Sequence, residues 1–138
     1  MTAPSQDLQS LDDIEGTTWG PAPEDATTLV AKVHELREKP VGELTSEDLR
    51  LLVGQQVGVD VLLPRVLELL KRDPLTEGDF YPGDLLAAVL RLPRSYWQQH
   101  SSLADAVLAV LDSINELPPE LETDVANFRG AGDGLAGR

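Results

Sequence analysis

Cysteine is absent from all 138 residues, which excludes a disulfide framework, a thiolate metal site and a cysteine nucleophile together. No apolar run approaches the ~20 residues of a membrane-spanning helix. Lys and Arg are scarce, 11 against 24 Asp and Glu, and the formal net charge of −13 repels phosphate backbones and anionic lipid. Direct binding to nucleic acid or to a membrane is therefore not expected, whereas a basic protein would be drawn in. Aromatic residues make up 4% of the chain, so Phe80 and Trp97 are expected in the core. The opening MTAPSQDLQSLDDIEG carries acids but no base, where a secretory signal needs a basic start and a continuous apolar segment. The expectation is a soluble protein that stays in the cytoplasm, where it is made.

What is present supports one compact domain, because 41% of the residues are hydrophobic. Periodicity points to helices and gives almost no strand signal. From Asp25 to Lys39, Leu29, Val33 and Leu36 share a stripe with Val30 beside it, and Pro40 ends the run. In LTSEDLRLLVGQQ, Thr45 or Ser46 is the N-cap, with Asp48 placed as in a capping box. Gly54 and Gln55 read as helix-end geometry, the amide satisfying backbone groups. A third helix, VDVLLPRVLELLKR, is apolar around so much of its circumference that it should be central. It should start near Val59 to Val61, so that Pro64 falls in the first turn. A fourth runs from about Pro82 to Leu92, with Pro93 ending it or opening a short successor through Trp97. The last, Ser102 to Glu116, has a serine cap and is stopped by Pro118 and Pro119. The expected fold class is all-α, a small irregular bundle of five to six antiparallel helices. Residues 1–18 read as an acidic, flexible N-terminal arm, 19–117 as the helical domain, and 118–138 as a mobile tail.

Chemistry is sparse. His34 and His100 have neither a second histidine at metal-ligand spacing nor a nucleophile motif nearby. GQQVG lacks the lysine and the spacing of a phosphate loop. Asp79 and Asp84 are the nearest thing to an acid and base pair. A simpler account has Asp79 shaping a turn and Asp84 meeting the dipole of the helix that follows. No catalytic residue, metal site or cofactor is expected, and the chain does not read as an enzyme.

The turn DPLTEGDFYPGDLL, residues 73–86, sits in a second acidic block: from Pro74 to Leu117 there are six acids and only Arg91 and Arg94. Together with the LTSEDLRLLVGQ helix, the apolar VLLPRVLELL and tryptophans near 19 and 97, this turn resembles the immunity proteins of contact-dependent growth inhibition systems. The resemblance covers roughly Trp19 to Asp112. It implies a protein that binds and neutralises the C-terminal toxin domain of a cognate effector, often a nuclease with a basic substrate surface. The partner-binding residues would be Glu77, Asp79 and Asp84 for charge and Tyr81 as a rigid aromatic contact. Two other readings stay open: a helical adaptor or regulator for a basic protein unrelated to any toxin, and an enzyme using Asp79 with Asp84.

Overall fold

In a computed structural model the chain is described from residue 7 to residue 137, with side chains as far as residue 130. The described residues form eight α-helices and no strand. These are α1 (Leu11–Glu15), α2 (Thr28–Arg37), α3 (Ser46–Gly54), α4 (Val59–Arg72), α5 (Asp84–Leu90), α6 (Arg94–Gln99), α7 (Ser101–Asp112) and α8 (Glu122–Gly137). Short 3-10 turns stand at Val41–Glu43 and Pro119–Leu121. The all-α bundle read from the periodicity is the fold the chain adopts. The two helices beyond the expected number, α1 and α8, lie at the chain ends.

Local chemistry sets the helix starts. Thr45 and Asp48 cap α3 reciprocally: the Asp48 N–H donates to Thr45 Oγ1 (3.1 Å) and the Thr45 N–H to Asp48 Oδ2 (3.0 Å). Ser10 and Asp13 repeat the arrangement on α1. α7 departs from expectation, because its N-cap is His100 and no side chain caps it. α4 begins at Val59, which puts Pro64 past the first turn and removes the bond to the Asp60 carbonyl. Asp60 and Pro64 are both exposed, so water reaches that carbonyl.

The central helix is α5 rather than α4. Every residue of α5 is buried, and its small Ala87 and Ala88 let neighbours approach closely. α4 keeps a solvent stripe of Asp60, Pro64, Glu68 and Lys71, and buries Leu62, Leu63, Val66, Leu67 and Leu70 on the other side. α3 and α8 pack on α5, while α4 packs on α3 and α7. α2 departs as well: Val33, Leu36 and Arg37 are buried, but Leu29 and Val30 are exposed. Its first turns stand clear of the bundle.

Segments on either side of the middle helices reach the core. Gly58 has φ +65°, and a Cβ on it would lie 2.8 Å from both methyl carbons of Leu11, so glycine is what lets α1 seat against α4. Arg37, 1% exposed, donates from Nε to Asp12 Oδ1 (2.8 Å) and lies 4.3 Å over the exposed Trp19 ring. Its Nη2 is 2.7 Å from Glu15 Oε1 but off the N–H direction, so Asp12 takes the aligned bond and Glu15 adds charge. On the other side Leu121, Val125 and Phe128 are buried, and Phe128 meets Trp97 edge-on with ring centroids 5.3 Å apart. The division at residues 18 and 118 therefore does not describe the packing: Leu11 and Leu121 fill core positions that the middle helices leave open. Residues 1–6 of the expected arm, and the tail's side chains beyond 130, lie outside the described residues. Among the described residues no helix is long and apolar enough to cross a membrane.

Candidate functional site

Residues 73–83 join α4 to α5, and their backbone is tied down along its length. Asp73 accepts the Leu75 N–H on its carboxylate (3.1 Å) and the Thr76 hydroxyl on its carbonyl (2.6 Å). The Gly83 N–H returns to the Leu75 carbonyl (3.1 Å), closing the loop. At its tip, three successive N–H groups each end on a carboxylate oxygen. Gly78 donates to Asp84 Oδ1 (2.6 Å), Asp79 to Glu47 Oε1 (2.9 Å) and Phe80 to Asp84 Oδ2 (3.0 Å). A Cβ on Gly78 would stand 2.6 Å from Glu47 Oε1 and within 3.2 Å of both Asp84 oxygens, so a side chain there would break the arrangement.

α3 supplies the second half of the clamp. Arg50 Nε donates to Glu47 Oε1 (2.7 Å), and the Arg50 guanidinium lies 4.5 Å over the centre of the Phe80 ring. That hydrogen bond from Arg50 holds the Glu47 carboxyl below its ordinary value. Partial burial opposes the shift, while the Asp79 N–H adds to it. The loop is thus braced from α3 through Glu47 and from α5 through Asp84.

The four residues singled out in the sequence fall into different environments. Glu77 and Asp79 are exposed, and Tyr81 is half-buried against the core. Asp84 is 3% exposed and both its oxygens are occupied, so it positions the loop instead of offering charge to a partner. Phe80 reverses its expectation at 67% exposed, whereas Trp97 is in the core at 4%. Sequence reasoning passed over Arg50 and gave Glu47 no part as a brace, a role that depends on a contact across 32 positions of the chain.

Beside the loop runs a groove of about 390 Å³, lined among others by Arg50, Gly54, Gln55, Gln56, Phe80 and Tyr81, with Asp84 and Arg91 further along. Asp84 reaches this groove and Asp79 does not, so the groove does not bring the two carboxylates together for paired acid and base work. His34 lies 3.0 Å by Nδ1 from the Gly20 carbonyl, and His100 stacks on Tyr96 at 4.0 Å; neither lines the groove. Among the described residues no His, Asp and Glu side chains are grouped to hold a metal ion. What the arrangement offers is a rigid acidic loop with one exposed ring, set against a polar groove.

Residues 13–107 match the family model of the CDI immunity proteins. The matched stretch runs from within α1 to within α7 and contains the whole clamped loop. No curated protein matches the chain.

Proposed function

Because this chain belongs to the CDI immunity protein family, we propose that it binds and neutralises the toxin domain of its own system by seating the clamped loop and adjoining groove on a basic face of that domain. The observation that carries this reading is the trio of main-chain N–H groups held by Asp84 and Glu47. Such bracing keeps Phe80 in an exposed position that apolar burial alone would not favour. A loop already fixed in one conformation loses little entropy on docking, so more of the contact energy appears as affinity. Phe80 is the aromatic anchor, Glu77 and Asp79 supply charge, and Tyr81 roots the loop in the core. A net charge of −13 steers a basic partner inward. A nuclease domain, whose substrate surface is positive, suits that field. Inhibition is then stoichiometric cover in the cytoplasm, with no chemistry done by this chain.

Calorimetry with the toxin domain encoded beside this chain tests the reading. The double variant Asp79→Lys with Phe80→Ala should lose at least ~2 kcal/mol of affinity with an unchanged helical circular dichroism spectrum. Rising salt should slow association of the wild-type pair more than that of the variant. An undiminished affinity in the folded variant would overturn it.

A further inference from the structure

The end of α3 places two residues against their intrinsic preferences, side by side on the same groove. Gln56 is the one non-glycine residue with positive φ among the described residues, at +58°. It occupies the position after the α3 cap: its N–H reaches the Val53 carbonyl (2.9 Å) and the Val57 N–H reaches the Leu52 carbonyl (2.9 Å). That is the helix-ending pattern in which glycine is usual, because a Cβ in the left-handed region is strained. Two residues earlier the preference is inverted. Gly54 ends the helix proper, has no positive φ, and a Cβ on it would meet nothing within 4 Å. Neither packing nor backbone geometry calls for glycine there, and a helical glycine is less stable than alanine.

Both choices are unfavourable for the fold and both face the same open surface. Gly54, Gln55 and Gln56 are exposed and line the groove beside Phe80 and Tyr81. Gln56 also borders a second groove of about 380 Å³ that runs on to Asp60, Tyr96 and Gln99. Among the described residues neither Gln55 nor Gln56 makes a side-chain hydrogen bond, so their amides do not serve the helix end after all. Residues held against preference and without a structural return point to a role in binding.

We infer that Gly54, Gln55 and Gln56 form an edge that receives an extended main-chain segment of the toxin domain; the inference rests on the immunity reading above. The chemistry selects that occupant. A carboxamide donates and accepts as a peptide group does, so paired glutamines match a run of backbone N–H and C=O. The missing Cβ at Gly54 leaves room for another backbone to approach. The left-handed turn at Gln56 carries its amide onto the ridge between the two grooves, where it can meet a segment crossing from one to the other.

The variants Gly54→Ala and Gln56→Gly test this, because each should improve the free protein while harming the complex. Thermal unfolding should show Tm at or above wild type for both, and toxin-domain binding should weaken roughly tenfold or more in each. Gln56→Ala, which keeps the backbone strain, should hold Tm and lose affinity to the same degree. The loss should be equal at low and high salt, since the contact is uncharged, unlike that of the Asp79→Lys variant. If wild type binds, the Asp79→Lys with Phe80→Ala variant does not, and these three bind within twofold of wild type, the edge inference falls alone. A fall in Tm matching the fall in affinity would make the residues structural and would also overturn it. If wild type does not bind the toxin domain, the immunity reading and the edge fall together.

Discussion

A carboxylate that accepts a main-chain N–H brings full strength to that bond only while ionised. Glu47 does so for Asp79, and the Arg50 hydrogen bond lowers its pKa from an ordinary value of 4.5. Its stabilisation is therefore complete above that ordinary value and disappears as pH falls through the lowered folded value. Glu47→Gln should cost about 1 kcal/mol near neutrality, a modest figure because the pair is partly exposed. Urea unfolding followed into acid should show the difference between wild type and variant shrinking below the ordinary glutamate range. A constant difference across that range would mean that the charge of Glu47 contributes nothing. The sequence displayed the acids of the loop but not their division of labour. TEGDFYPGD lets Asp79 be read as a turn residue and Asp84 as a first-turn acid of the next helix, but does not show that Asp84 is buried as a brace for the Gly78 and Phe80 N–H groups. Phe80 was expected in the core and stands exposed instead, since a loop has no periodicity to say which ring faces inward.

Helices were far more legible, because their starts and faces are written in local spacing. The Thr45 and Asp48 pair announced α3, and the dense run of apolar residues announced α4. Rank within the bundle was harder to read. α4 has apolar residues over much of its circumference, yet a polar residue at about every fourth position keeps one stripe wet. α5 spans only Asp84–Leu90, too short for a pattern to distinguish full burial from half. Gly83 just before it, φ +90°, would place a Cβ 2.8 Å from Leu121 Cδ1, a proximity that no local motif foretells. Within α4, Leu67 is nearly inaccessible. Leu67→Asp should lower stability by several kcal/mol, as it buries a charge with no partner. Chemical denaturation would report the loss, and a midpoint within error of wild type would show that the α4 face is not core.

For the molecule as a whole, the family match and the packed body do not coincide. The match covers residues 13–107, while the core takes in Leu11 before it and Val110, Leu111, Leu121, Val125 and Phe128 after it. The signal for the last three was present in the sequence: they recur at i, i+4 and i+7, but glycine and acid around them disguised a helix as a tail. Truncation after Leu117 removes three buried apolar side chains, each contributing roughly 1.5–3 kcal/mol. The loss, on the order of 5 kcal/mol, is comparable with the whole stability of a small domain. The truncated chain should show a much lower Tm or fail to unfold cooperatively, and a Tm close to that of the full chain would contradict the packing of α8. The two tryptophans sit at these same two joints in opposite surroundings. Trp19 is exposed to water on the outer side of the buried Arg37, and Trp97 is sealed against Phe128. An indole in water emits further to the red than one in an apolar interior, so the intrinsic fluorescence is a sum of two separable colours. The red component belongs to the joint that fastens α1, the blue to the joint that fastens α8, and release of either end is visible without an attached dye.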